Sequence, residues 1–232
     1  MNNFKLLLMA RNINSEPFDE ATKLKLDIFR KCFKEWFPVF IHTPWIEHIY
    51  IYDFFAGSGT DANSVPGSPL ILLEEAKGVD CKYCQPIKEN KKGVTFVFNE
   101  KEPTKKQPKY ELLSQAVENY VNNCIAENNC GGSCVYVRHC TNNDFKDRFN
   151  KSAGLQNVLN SKTSAKFILL DQYGFSQVDE DVFLTLVKSP LTDFIFFISS
   201  SFINRFSEHP NTKKYIDTEK LVFDRDAPKE CH

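Results

Sequence analysis

The feature that most constrains the fold of this chain is a repeated alternation of short apolar segments with longer segments of helical periodicity. The apolar segments are rich in β-branched and aromatic residues, which predicts strands at 46–52, 94–98, 133–137, 167–170 and 194–198. Strands that are apolar throughout are typical of a parallel sheet whose two faces are both buried. The sequence therefore predicts an α/β fold with a mostly parallel sheet and helices on both faces.

The segments between the strands predict the helices. Helical spacing covers residues 110–125, 145–159 and 178–188, and a leucine-rich helix follows Gly67 with Ser68 as its N-cap and Pro69 as its first residue. Ahead of the first strand, residues 18–37 predict an amphipathic helix that ends before Pro38. The polar segment 77–93 is expected to be an inserted loop.

Length and charge limit the classes of function. The 232 residues, 42% of them hydrophobic, suffice for one sizeable domain. Because 29 basic residues balance 30 acidic ones, any nucleic-acid binding must be local, at clusters such as Lys91-Lys92 or Lys105-Lys106. The competing and favoured interpretation of these clusters is that they are solvated loops. The one short apolar run at the N-terminus is typical of neither a signal peptide nor a membrane span. A cytoplasmic protein without a membrane partner is predicted.

The cysteines raise the question of a metal site. There are eight, including a CxxC at Cys81 and Cys84 and a later group at Cys124, Cys130, Cys134 and Cys140. A zinc ribbon needs two CxxC knuckles, whereas the later cysteines are spaced more widely. Reduced thiols and no metal site are therefore predicted, and zinc remains the alternative.

The loop after the first predicted strand is the strongest candidate site, and it reads Asp53-Phe54-Phe55-Ala56-Gly57-Ser58-Gly59-Thr60. Open α/β sheets bind ligands at the carboxyl ends of their strands, where the strand order reverses. Gly57 and Gly59 allow the backbone to approach a ligand closely. The full dinucleotide fingerprint GxGxxG is not matched, because its third glycine is missing. For Asp53 alone, capping of a turn or helix is the competing interpretation.

This string resembles the S-adenosylmethionine-binding motif of class I methyltransferases, above all those that act on DNA and RNA. The resemblance implies S-adenosyl-L-methionine as cofactor, with Asp53 orienting its methionine end. Ala56, Gly57 and Gly59 belong to the same binding loop, and the two glycines would line the sugar and the sulfonium. Glu100 follows the second predicted strand, where this fold places a carboxylate that accepts both ribose hydroxyls.

A second motif ends the fourth predicted strand at Asp171. Amino-methyltransferases have Asp-Pro-Pro-Tyr or a close variant at this position, which implies that Asp171 and Tyr173 are catalytic and hold an acceptor amine on a flipped nucleic-acid base. The sequence departs from that motif, since both prolines are absent and the tyrosine comes one place early. The competing interpretation is that Asp171 caps a turn and Tyr173 packs.

Several strings together resemble the three-Cys-motif partner (TcmP) family, in that family's order, at 22–29, 35–38, 53–59, 67–70, 171–174 and 204–206. Its members are Rossmann-like and methyltransferase-like, and they occur beside a radical-SAM-like three-Cys-motif protein, often in phage-related or defence settings. The resemblance implies either a methyltransferase-like protein or a non-catalytic partner of that protein. Gln172 stands where the family usually has proline.

The resemblance also divides the chain into an N-terminal helical segment, 1–45, that packs on the core, and a Rossmann-like methyltransferase-type domain, 46–232. A complete sheet of this type has two more strands after the fifth. Only Leu221-Val222-Phe223 has the apolar character to begin one of them. The chain is therefore expected to be a truncated or shortened form of the domain.

Overall fold

The helices and strands alternate as predicted in the computed structural model, which describes residues 16–102, 109–128, 133–172 and 177–198. In chain order the elements are α1 (Glu20–Ile41), β1 (His48–Asp53), α2 (Ser68–Lys77), a 3₁₀ turn (Val79–Cys81), α3 (Cys84–Glu89), β2 (Gly93–Asn99), α4 (Lys109–Glu127), β3 (Val137–Thr141), α5 (Phe145–Lys151), α6 (Ala153–Asn160), β4 (Ser164–Leu170), α7 (Glu180–Lys188) and β5 (Thr192–Phe196). The predicted α/β class is confirmed.

The five described strands form one sheet in the order β3-β2-β1-β4-β5, and every neighbouring pair is parallel. The chain first builds outward from β1 through β2 to β3, and then returns to place β4 on the other side of β1. The strand order therefore reverses between β1 and β4. In open α/β sheets this switch point is where ligands bind, at the carboxyl edge, and the arrangement is compatible with a Rossmann-like fold.

One face of the sheet is covered by α1, α2 and α4, which share a single apolar core with it. The buried face of α1 is a stripe of residues three or four positions apart, namely Leu26, Phe29, Phe33, Phe37 and Ile41. The ring of Phe33 lies 5.1 Å from that of Phe167 on β4. Burying a phenylalanine stabilises the fold by about 2–3 kcal/mol, so this stripe anchors α1 on the sheet.

The opposite face is covered by α5, α6 and α7 around a second apolar core. Tyr52 and Phe54 contribute a stacked pair with ring centroids 5.4 Å apart, and Phe145 meets Phe54 edge-on at 5.2 Å. With apolar cores on both faces, the sheet is buried in the way that its continuous apolar strands predicted.

The prediction that the first helix ends before Pro38 is wrong, because α1 continues to Ile41. Proline removes one backbone hydrogen bond from a helix interior. Phe37 and Ile41, on either side of it, are fully buried in the core, and the His42 N–H still donates to the Pro38 carbonyl at 3.3 Å. Core packing thus offsets the lost hydrogen bond and carries the helix past the proline.

Other predicted boundaries are also corrected. The single helix expected at 145–159 is two helices, because Ser152 adopts extended backbone and accepts a hydrogen bond from Leu155 N–H to cap α6. The segment 77–93 contains the 3₁₀ turn and α3 rather than loop alone. The strand expected at 133–137 lies at Val137–Thr141, because Tyr136 instead turns into the core and donates to the Ala76 carbonyl at 2.6 Å.

Among the described helices, none combines the length and the hydropathy that a membrane crossing requires. The strand predicted to begin at Leu221 and the predicted site residue Tyr173 lie outside the described residues.

Candidate functional site

Three carboxylates that the sequence singled out lie at the carboxyl edge of the sheet. Asp53 ends the central strand β1, where it pairs in register with Phe98 of β2 and Leu169 of β4. Glu100 and Asp171 follow these partners by two residues, so they flank Asp53 on its two sides. Burial is the main cause that raises the pKa of Asp53, and the negative charges of Asp171 and Glu100 raise it further, which places the three groups in one electrostatic site.

Asp53 is almost completely buried, with 1% of its surface exposed. Its Oδ2 accepts a hydrogen bond from Ser68 Oγ at 2.6 Å, and its Oδ1 accepts one from Phe55 N–H at 3.2 Å. Burial raises the pKa of Asp53 to about 7, against the opposing effect of these two hydrogen bonds. No cationic side chain of the described residues pairs with it. A cation placed beside such a buried carboxyl group would relieve the cost of its ionisation.

Ser68 takes a different role from the one that the sequence predicted. Gly67 is the N-cap of α2, Ser68 is the first helical residue, and Pro69 follows it. The hydroxyl of Ser68 is therefore directed to Asp53 rather than to the backbone of its own helix. Both interpretations of Asp53 therefore remain open. Its carboxyl group accepts a hydrogen bond from the first residue of α2, and it also lies at the candidate site.

The glycine loop has left-handed backbone at both of its glycines, with φ of +64° at Gly57 and +88° at Gly59. A Cβ at Gly59 would lie 2.9 Å from the Cβ of Ala116 on α4, so a glycine is needed there for packing. A Cβ at Gly57 would meet nothing within 4 Å. The backbone at Gly57 is therefore open to the approach of a ligand.

Glu100 is joined to this loop, because its Oε2 accepts a hydrogen bond from Gly57 N–H at 2.9 Å. Burial raises the pKa of Glu100, and the nearby Lys109, with Nζ 3.8 Å from Oε1, opposes that change. The preceding residue, Asn99, accepts at its carbonyl from Ala56 N–H at 3.0 Å. The ends of β1 and β2 thus hold the predicted loop residues Ala56 and Gly57 against Glu100.

Asp61 is a residue of the site region that sequence reasoning missed. Its carboxylate accepts hydrogen bonds from the backbone N–H groups of Phe18, Asn63 and Val65, each at 2.8 Å. Burial opposes the ionisation of Asp61, but these three bonds outweigh it and lower its pKa. The signal in the sequence was the Asp61-Ala62-Asn63 turn, in which an aspartate accepts from the N–H two residues on.

Asp171 forms an ion pair with Lys25 of α1, and both side chains are mostly buried. The Lys25 ammonium also lies 5.4 Å from the ring centroid of Phe197, which follows β5. Lys25 was missed because a lysine within an amphipathic helix has the pattern of a solvated residue. Tyr173, the other predicted catalytic residue, is outside the described residues.

Gln172 has a structural role of its own. Its side chain is buried, and its Oε1 accepts hydrogen bonds from Gln177 N–H at 2.9 Å and Val178 N–H at 3.0 Å. These bonds stabilise the approach to α7. The glutamine at this position therefore contributes to the fold.

No disulfide joins the cysteines that the structure describes. Cys84, Cys124 and Cys134 line a small apolar cavity of about 30 Å³ between α2, α4 and the segment before β3. Within the described ranges, no three His, Cys, Asp or Glu side chains are arranged to hold a metal ion. Cys130 lies outside those ranges, and the absence of a metal site stays a prediction.

The lysine cluster at 91–92 is partly internal. Lys92 is buried, and its ammonium donates to the carbonyl oxygens of Thr43 at 2.5 Å and Ile46 at 2.7 Å. It therefore stabilises the turn between α1 and β1. The other cluster, Lys105-Lys106, lies outside the described residues.

Comparisons of this chain with models of protein families, with curated proteins and with solved structures found no match. The fold and the site therefore define only the class of this protein. It is an α/β protein with a five-stranded parallel sheet, compatible with a Rossmann-like fold, and it has three acidic side chains at the carboxyl edge of that sheet.

Proposed function

We propose that this protein binds S-adenosyl-L-methionine at the carboxyl edge of β1 and β2 and transfers its methyl group to an amino group held at Asp171. The observation that carries the proposal is the buried Asp53 carboxyl group, which has no cationic partner among the described residues. It lies beside a left-handed glycine loop and a second acid, Glu100.

The residues fit the parts of the cofactor. The methionine end carries an ammonium group, and the Asp53 carboxylate supplies the charge that would compensate it. The ribose carries two hydroxyl groups, for which Glu100 is an acceptor at the end of β2. The open side of Gly57, where even a Cβ would meet nothing within 4 Å, leaves room for the ligand against the backbone.

The cofactor, when bound, supplies a methyl group on a sulfonium that an uncharged amine can displace. Asp171 would accept a hydrogen bond from the acceptor amine and so orient its lone pair, with Tyr173 as the expected second contact. Catalysis is then mainly a matter of holding the two reacting groups in line. The methyltransferase resemblance implies a nucleic-acid base as the acceptor.

A second candidate function is that of a non-catalytic partner of a radical-SAM-like three-Cys-motif protein. Two observations favour it. Lys25 already forms an ion pair with Asp171, and the Gln172 side chain is hydrogen-bonded to the backbone just before α7. In that case the sheet serves as a docking scaffold. For either function we propose a cytoplasmic setting, phage-related or in defence, as the TcmP resemblance implies.

Calorimetric titration with S-adenosylmethionine and with its demethylated product tests the cofactor. Wild type is expected to bind both, and Asp53→Ala to bind at least about tenfold more weakly, because the ammonium loses its partner. Asp27→Ala is the matched control, since Asp27 is a half-exposed acid of α1 paired with Lys31. No binding by wild type, or undiminished binding by Asp53→Ala, would refute the assignment.

Methyl transfer needs its own assay, with labelled cofactor and with DNA, RNA or the three-Cys-motif protein as acceptor. Loss of transfer in Asp171→Ala, with cofactor binding retained, is the expected result. Transfer that persists in this variant would show that the acceptor lies elsewhere. Cofactor binding without transfer to any acceptor would favour the partner function.

A further inference from the structure

An amino group already lies against Asp171, and it belongs to the chain itself. Lys25 extends from the first half of α1 to the carboxyl edge of β4, where its Nζ contacts Asp171 Oδ2. Only 17% of the Lys25 side chain and 23% of the Asp171 side chain are exposed. α1 is held by its buried stripe, including Phe29 and Phe33, so the lysine is presented from a fixed helix.

The surroundings of the Lys25 ammonium are those of an alkylammonium site. A carboxylate lies on one side, and the ring of Phe197 lies with its centroid 5.4 Å from Nζ on another. A carboxylate combined with an aromatic face attracts an alkylammonium through its charge, and the ring also accepts its apolar stem. A nucleic-acid base brings no positive charge to such a site.

Three other lysines near this edge, all within the described residues, are also paired. Lys101 contacts Asp144 at 2.5 Å, Lys109 lies 3.8 Å from Glu100, and Lys146 contacts Asp179 at 2.7 Å, which leaves them committed to carboxylates. Binding of nucleic acid depends on cations that neutralise phosphates. The charges of the described residues therefore favour an amine ligand over a nucleic acid.

We propose that Asp171 and Phe197 form a binding site for an aliphatic amine, such as a lysine side chain, and that Lys25 occupies this site until the amine displaces it. The flexible four-carbon stem of Lys25 allows its ammonium to move into solvent while α1 stays packed. The assignment of this amine as the methyl acceptor rests on the proposed function.

In that reaction the incoming amine first gives one proton to solvent. Its nitrogen lone pair then forms the N–C bond as the C–S bond breaks, with the electron pair of that bond remaining on sulfur. The positive charge passes from sulfur to nitrogen. While Lys25 contacts Asp171, this position is closed to the acceptor, so the lysine acts as an internal gate.

The test is calorimetric binding of N-α-acetyl-lysine amide to the full chain without cofactor, with N-α-acetyl-norleucine amide as the ligand that lacks the amine. Lys25→Met is expected to bind the lysine amide about tenfold more tightly than wild type, because the competing ammonium is gone. Lys31→Met, on the exposed face of the same helix, is expected to match wild type. Adding Asp171→Asn to Lys25→Met is expected to abolish the gain.

Equal affinity in wild type and Lys25→Met, binding of the norleucine amide, or no binding by Lys25→Met would overturn the proposal. Preference of Lys25→Met for adenosine or cytidine over the lysine amide would overturn it in favour of a base acceptor. Lys25→Gln repeats the test if thermal unfolding shows that the methionine variant is unfolded. Binding of the lysine amide by a chain that does not bind S-adenosylmethionine would leave the amine site standing and remove only the methyl transfer.

Discussion

Substitution of Asp53 by asparagine separates the ionisation of this buried group from its shape. In the native chain Oδ1 accepts from Phe55 N–H and Oδ2 accepts from Ser68 Oγ. The amide of asparagine satisfies both partners, since its oxygen accepts from Phe55 and its NH₂ group donates to the Ser68 hydroxyl. What the variant loses is the negative charge that burial makes costly.

The magnitude follows from the pKa of Asp53, which is about 7 in the folded protein against an ordinary value of 3.8. Between these two pH values the folded state holds about one proton more than the unfolded state. The free energy of unfolding therefore falls as pH rises through this window, by up to about 4 kcal/mol, and stays low above it. Asp53→Asn lacks this loss and is expected to be the more stable protein at about pH 8.

Urea unfolding of both proteins between about pH 5 and pH 8 measures the difference. The advantage of Asp53→Asn is expected to grow with pH and then to level off above the native pKa. Asp27→Asn, at a half-exposed position, is expected to parallel wild type. A variant whose curve also parallels wild type, or one that is less stable at the higher pH, would refute the argument that burial keeps this carboxyl group protonated.

Two further predictions concern the loop and the far end of the sheet. Gly59→Ala is expected to lower the free energy of unfolding by about 2–4 kcal/mol through contact with Ala116, whereas Gly57→Ala, in open space, is expected to lose about 1 kcal/mol; equal losses in urea would contradict the packing argument. Burial lowers the pKa of Lys166 from 10.5 to about 8 in the folded protein. Between these two pH values the unfolded chain therefore binds about one proton more than the folded chain. The stability of wild type is then expected to rise with pH across this window by up to about 2 kcal/mol, and urea titrations of Lys166→Met that show the same rise would contradict it.

The strands were predictable because their apolar pattern depends on burial on both faces, which a parallel sheet enforces. The edge strand β3 was misplaced because an edge strand is not buried on both faces. Its residues, from Val137 to Thr141, are only partly covered, so they carry little apolar signal, while the neighbouring Tyr136 is buried without being in the strand. A pattern of burial thus locates the central strands better than the edge ones.

Individual residues of the site were predictable to the extent that their local geometry is special. Gly57 and Gly59 were recognised as positions where the backbone can approach a ligand closely, and in the structure both have the left-handed backbone that favours glycine. Lys25 was not recognised, because its partner Asp171 is far away in the sequence. Long-range ion pairs leave no periodic or local pattern.

What the sequence determined by itself was the alternation of elements, the parallel sheet and the position of an acid at the end of each of three strands. Local periodicity and turn geometry depend on residues that are close together in the sequence, so the sequence alone predicts them. Only the tertiary structure decided that Asp53 is buried without a cation among the described residues, while Lys25 lies against Asp171. Burial and charge pairing depend on which elements pack together, and packing joins residues that the sequence keeps apart.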